Sequence, residues 1–322
     1  MMIQSDTALL KRLLLKHPRD AFISQEALGR QWQGLNYLGE PDLKEAVREY
    51  DAFVDILSRT GTQIDFLGPD DRTGPDSVYV RDAAVTCSKG LILCLMGKTT
   101  RQGEPAALGE ALQAEQQPAG APAGLSTHSG GPQEMLPFPV CGSITGEGRL
   151  EGGDVAWISS RCLAVGRSRR TNAEGIRQLR QLLGDCIDDL VEVPIPDIDV
   201  DGDCFHLMSI FSPLADDVAL VYPPLLPTAF RDALLERGIR LVEVPQSEFD
   251  SMGCNVLAIA PGQVIAVDGN PLTRRNMEQL GLQVTPISAR EISLKGAGGP
   301  TCLTRPLVRM IDTTQQDSIG PV

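Results

Sequence analysis

The sequence predicts an α/β fold in which one small unit recurs around a common axis. Three observations carry that expectation. Short apolar runs alternate with amphipathic stretches along the chain. The order strand, strand, helix, strand returns at intervals of roughly fifty residues, the mark of a repeat architecture. Each return carries an acid, a histidine or a cysteine near a strand end. In a closed radial arrangement such strand ends converge, so that residues distant in sequence share one pocket.

In chain order, residues 6–16 read as a short helix, and His17, ahead of Pro18, as its exposed end. Residues 42–59 carry apolar side chains at 46, 47, 50, 53, 54 and 57, the spacing of a helix face. Gln63–Leu67 reads as a strand, and the segment from Gly68 to Pro75 as a turn. The stretch from Asp76 to Val85 reads as an acid-bearing strand, Leu91–Met96 as its partner and 105–116 as a helix. Residues 117–135 are rich in Pro, Gly and Ala and read as a flexible loop, with His128 solvated inside it. Strands at 155–158, 161–165 and 190–193 frame a helix that Asn172 caps and that ends near Leu183. The later part gives strands at 218–222 and 239–244 around a helix at 227–237. Strands at 254–260, 263–267 and 282–287 around a helix at 272–280, and a last strand at 302–308, complete the series. One domain is expected over 1–311, with a disordered tail at 312–322.

Composition narrows the function. A chain of 322 residues with 42% hydrophobic and 22% charged residues can bury a sizeable core. A net charge of -13 argues against nucleic acid and anionic membrane as partners and suits a cationic small molecule. No apolar run reaches the about eighteen residues of a membrane span, and the opening Met1-Met-Ile-Gln-Ser-Asp lacks the regions of a signal peptide. Eight cysteines without a C-x-x-C pair read as reduced thiols of a cytoplasmic protein.

Three motif fragments do not hold. Gly97-Lys98-Thr99 lacks the glycine loop of a phosphate-binding motif. Gly148-Arg-Leu-Glu151-Gly-Gly-Asp154 does not have dinucleotide-fingerprint spacing. Asp197-Ile-Asp199-Val-Asp201-Gly202 begins like a calcium loop, but Met208 stands where its final acid belongs. It reads as an acidic surface loop.

Gly296-Ala-Gly-Gly-Pro-Thr-Cys302-Leu-Thr-Arg-Pro306 is different. Glycines strip side chains from the backbone just ahead of one cysteine and free it to take positive φ beside a ligand. Most free cysteines are small buried hydrophobes. The rest of the chain decides otherwise for Cys302. Asp76-x-Val-x-Val-Arg-Asp82, Leu150-Glu-Gly-Gly-Asp-Val155, Arg170-Thr-Asn172, His206-Leu207 and Gly298-Gly-Pro-Thr-Cys302 occur in that order. Together they resemble the guanidino-group-modifying (amidinotransferase, or pentein) superfamily, and within it the dimethylarginine dimethylaminohydrolases.

The resemblance implies a fivefold α/β-propeller of repeated ββαβ units, no metal or organic cofactor, and a small guanidino substrate, with a homodimer left open. By the same resemblance Cys302 is the nucleophile, His206 the general acid and base, and Glu151 the acid that pairs with the guanidinium and orients the site. Asp82 and Asp76 line the pocket, Arg101 and Arg170 grip the α-carboxylate, and Leu35 closes the pocket from an N-terminal loop. The chemistry fits. A guanidinium is a poor electrophile and needs a thiolate and a proton donor for the departing amine. Arginine deiminases and glycine amidinotransferases are similar to each other in carrying an acid two residues after the histidine. Met208 in that place implies a more apolar wall, suited to N-methyl groups and hence to hydrolysis of a methylated arginine to citrulline and a methylamine through a thiouronium on Cys302; an arginine deiminase or another guanidino-compound hydrolase or amidinotransferase, and a non-catalytic binding propeller, are the alternatives.

Overall fold

A computed structural model describes residues 3–113, 137–197 and 205–311. The expectations for 117–135, His128, 312–322 and the centre of the acidic segment after Asp197 lie outside the described residues. β1 (Leu9–Lys16) runs through α1 (Pro18–Phe22), α2 (Gln25–Gln31) and α3 (Leu43–Ser58) into β2 (Gln63–Leu67). Four units of like order follow. They are β3 (Ala84–Cys87), β4 (Gly90–Leu93), α4 (Glu104–Gln113) and β5 (Val140–Ser143); then β6 (Val155–Ser159), β7 (Cys162–Arg167), α5 (Ala173–Leu183) and β8 (Asp189–Pro194). Next come β9 (Phe211–Ala215), β10 (Val218–Val221), α6 (Thr228–Glu236) and β11 (Arg240–Glu243); then β12 (Leu257–Ala260), β13 (Gln263–Val267), α7 (Pro271–Gln279) and β14 (Gln283–Ile287). β15 (Arg305–Met310) ends the described chain apart from Ile311.

Among the described residues these strands form five three-stranded sheets. In each, the central strand has one antiparallel and one parallel neighbour, the parallel one reached across a helix. The first unit follows the same rule with an exchanged origin. β15 comes back to lie antiparallel to β1, with Leu13 opposite Pro306, while β2 lies parallel to it. Neighbouring sheets touch: β15 meets β3, β6 meets β9, β9 meets β12, and β12 meets β1. A bridge between Leu95 and Leu150 joins the second and third units.

Three local readings are overturned. Residues 9–16 form a strand, not a helix. Leu-Leu-Lys-Arg-Leu-Leu-Leu-Lys has high helix propensity, but as a central strand it is covered on both faces, and a continuous apolar run is what such a strand requires. His17 is fully buried rather than exposed. Its Nδ1 accepts from Arg19 N, capping the helix that Pro18 begins, and its Nε2 meets Asp51 at 3.1 Å. Residues 75–83 are two tight turns, with the strand starting only at Ala84. β9 carries Pro213 and is an edge strand of its sheet, where a missing N–H is tolerated. Five described cysteines are buried as expected, while Cys141 is exposed and Cys302 half-buried. No helix among the described residues is long and apolar enough to cross a membrane.

Two buried charges bind segments together. Glu49 on α3 accepts the backbone N–H groups of Arg290, Glu291 and Ile292, anchoring the segment that leads into the Gly296 loop. Asp6 accepts from Arg81 at 2.8 Å and from Trp157 N at 2.7 Å, with the buried Arg305 and Arg309 nearby. Replacing Asp6 by Ala leaves Arg81 buried without its carboxylate. The expected cost is about 3–5 kcal/mol, read from denaturant unfolding of the two proteins.

Candidate active site

The paired turns at 75–83 put Asp76, Tyr79 and Asp82 on the wall of one cavity of about 490 Å³. Leu35, Arg101, Arg170, His206 and Cys302 line it too. Glu151 does not. It is fully buried behind His206 and lends the cavity no surface.

Each motif has a local reason. Glu151 Oε2 lies 2.8 Å from His206 Nε2 and accepts from Arg170 Nη1 at 3.0 Å. Its Oε1 accepts the N–H groups of Gly97 and Lys98. Gly152 passes so close to the Arg81 carbonyl that a Cβ would lie 2.1 Å from it. A Cβ on Gly153 would stand 2.7 Å from Asp82 Oδ1 and 2.9 Å from the His206 ring, so only glycine lets those two side chains approach. Asp154 accepts Leu207 N and the Ser168 hydroxyl, fixing the turn that carries His206. The Thr171 hydroxyl receives Glu151 N, and Asn172 caps α5 through Gly175 N.

The cysteine loop answers to the same logic, with one correction. Gly296, Gly298 and Gly299 do not use positive φ; the residue that does is Ala297, at φ 54. These glycines make room. A Cβ would lie 2.0 Å from the Tyr79 hydroxyl at Gly296, 2.4 Å from the Tyr79 ring at Gly298 and 2.4 Å from Asn255 Oδ1 at Gly299. Asn255, which the sequence did not single out, holds the loop from both sides. Its Oδ1 accepts Thr301 N, and its Nδ2 donates to Cys302 Sγ at 3.2 Å.

Arg101 is deeply engaged. Its Nε and Nη2 bind Glu104, Nη2 also meets the Tyr79 carbonyl, and Nη1 binds Asp82 Oδ2 at 2.6 Å. Asp82 Oδ1 accepts Gly153 N. Met208 is 2% exposed and packs in the apolar core with Phe211 and Leu214, so it forms no wall of the cavity. Met208 therefore offers no apolar wall for N-methyl groups. Ser209, Phe205, Phe249 and Asp250 line that side instead, Phe205 and Phe249 meeting edge to face at 5.4 Å. Aromatic and asparagine positions of this kind carry no signal in one sequence, because core residues look the same.

Electrostatics sets the protons. Burial pushes the Cys302 thiol up to about 11, Asp82 adding to it while the Asn255 amide holds it down. Burial would lower His206, yet Asp82, Asp154 and Glu151 together raise it to about 9, so the ring is an imidazolium at neutral pH. Burial would raise Glu151, but His206 and Arg170 hold it well below the ordinary carboxylate range. Asp82, Glu151 and His206 bring one ligand-type atom each within 4.8 Å of one another. In this protein Arg101 and Arg170 already engage the two acids.

The family model for arginine deiminase matches residues 137–229 and 224–309, and the chain belongs to that family. Within the wider guanidino-group-modifying superfamily it stands close to the dimethylarginine dimethylaminohydrolases. It is 26% identical over 270 residues to that enzyme of Pseudomonas aeruginosa, covering 84% of this chain and 91% of the relative. It is 28% identical over 199 residues to the arginine deiminase of Latilactobacillus sakei, a match spanning 50% of this chain and 47% of the deiminase. The uncharacterized protein YkgA of Bacillus subtilis is 27% identical over 267 residues, 83% of this chain and 82% of its own. In fold, the chain matches the P. aeruginosa dimethylaminohydrolase complexed with citrulline at a TM-score of 0.66 and 23% identity, covering 93% and 99% of the two chains. It also matches the N-terminal domain of ArgZ, an arginine dihydrolase of cyanobacteria, at a TM-score of 0.69 and 17% identity, covering 93% and 97%.

A thiol pushed up to about 11 is protonated at neutral pH. Alkylation of Cys302 by neutral iodoacetamide, followed by mass spectrometry from pH 7 to 10, is expected to rise about tenfold per pH unit. A rate already flat at pH 8 contradicts that thiol.

Proposed function

We propose that this protein is a cysteine-dependent hydrolase of the guanidino group of an arginine-type compound, with arginine or a methylated arginine as substrate and citrulline and ammonia or a methylamine as products. One observation carries the reading. Cys302 and His206 line one cavity together with Asp82, while a buried Glu151 holds the imidazole from behind. The names of the relatives, deiminases and a dimethylaminohydrolase, support the same class of reaction. The touching of successive sheets supports a closed fivefold propeller of one domain, with the cavity among its strand ends.

In this reading the bound guanidinium sits against Asp82, and its charge favours loss of the Cys302 proton to solvent. The thiolate forms a bond to the guanidine carbon. The tetrahedral adduct collapses as the His206 imidazolium gives its proton to the departing nitrogen, leaving a thiouronium on Cys302. Neutral His206 then takes a proton from water, the hydroxide adds to the same carbon, and the Cys302 thiolate leaves as the new hydroxyl gives its proton to solvent and becomes the ureido carbonyl. The products are the ureido compound and the amine. Glu151 acts through His206, keeping the ring oriented and charged. Arg101 fixes Asp82, and Arg170 remains to meet the carboxylate.

The test is incubation with dimethylarginine, monomethylarginine, arginine and agmatine, read as ureido product, alongside labelling of Cys302 by a small haloamidine. Turnover that Cys302→Ser and His206→Ala each bring to background is the expected result. Absence of turnover with every compound, and of labelling, defeats the reading. His206 supplies its proton only while charged, so kcat is expected to fall at alkaline pH once the ring loses the proton that Asp82, Asp154 and Glu151 hold on it. A kcat without an alkaline limb removes His206 as the acid.

A further inference from the structure

Leu35 and Asp76 were expected to meet a ligand. They converge instead on an ammonium that the chain supplies. Lys98 Nζ lies 2.7 Å from Asp76 Oδ2 and donates to the Leu35 carbonyl at 3.0 Å. All three residues line the 490 Å³ cavity that holds Cys302 and His206. The lysine is not there by chance of a loose side chain. Its own N–H is bound by Glu151, the preceding Gly97 N–H likewise, and its side chain is 16% exposed.

A carboxylate beside a backbone carbonyl is a receptor for an ammonium, since both groups accept and neither donates. Here that receptor is occupied. The Leu35 carbonyl takes one of the three N–H groups of the ammonium and Asp76 pairs with its charge, so donor capacity is left for the cavity. Arg170 lines the same cavity, with Glu151 as its acid. A ligand ammonium arriving at this wall meets like charge and acceptors already engaged. A ligand carboxylate meets donors.

We propose that Lys98 is a specificity-determining residue that takes the place of a substrate ammonium, so that the preferred substrates are ω-guanidino carboxylic acids without an α-amino group. The inference rests on the reading that Cys302 and His206 process a guanidinium in this cavity; it keeps that chemistry and replaces the arginine-type substrate by its counterpart without the α-amino group.

The experiment compares arginine with 5-guanidinopentanoate, which differs only in lacking the α-amino group, on the wild-type protein and on Lys98→Met. Wild type is expected to favour the des-amino acid in kcat/KM by about tenfold or more, since an unmatched polar group is rejected strongly. Lys98→Met frees Asp76 and Leu35, and is expected to move the ratio toward arginine by about tenfold or more, chiefly through KM. A wild-type preference for arginine, or a ratio that Lys98→Met leaves in place, overturns the inference. The wild-type comparison decides by itself if the variant does not fold. Protection of Cys302 against haloamidine labelling by each compound gives the same ranking without turnover. Turnover with arginine preferred sinks the Lys98 inference alone; no turnover and no labelling sink the guanidino reading with it.

Discussion

Glu151 gathers donors from three separate segments onto one fully buried carboxylate: the His206 ring, the Arg170 guanidinium, and the N–H groups of Gly97 and Lys98. A carboxylate so deep is costly unless every lone pair finds a partner, and each partner in turn is stranded without it. The cavity inherits its order from this dependence. Burial opposes the charge on His206, but Asp82, Asp154 and Glu151 around the ring keep it, and Arg170 is pulled to the same wall. Lys98 enters the cavity because its backbone is pinned there.

The glycine-rich segments serve proximity more than flexibility. Gly153 lets Asp82 and His206 come within reach of one another, and Gly296 and Gly298 let the cysteine loop lie on Tyr79. A backbone without side chains is thus the means by which residues from four units share a small volume. The cost falls on tolerance: at these positions even a methyl group collides with a carboxylate or with a rigid ring.

Much of this was legible because polar residues at strand ends are hard to explain otherwise. Cys302, His206, Asp76, Asp82, Arg101, Arg170 and Leu35 all reach the cavity, and Glu151 stands directly behind it. Helix α3 kept its apolar period and α5 its cap, Asn172. What stayed hidden depended on tertiary context. The leucines of β1 fit a helix or a doubly covered strand equally well. Met208 has the same spacing from His206 as a pocket acid, yet the turn at 207–209 sends it into the core. Lys98 looked like the remnant of a phosphate motif, since nothing in sequence ties it to Asp76, twenty-two positions earlier.

The pairing of β15 with β1 joins strands nearly three hundred positions apart. Closing so long a loop is entropically expensive, and contacts of such range form late. The first three-stranded sheet therefore has to wait during synthesis for the final strand, with β1 offering an unpaired edge meanwhile. Cys302 lies just ahead of that strand, so its sulfur leaves the ribosome after β1 to β14 and before the strand that completes the first sheet.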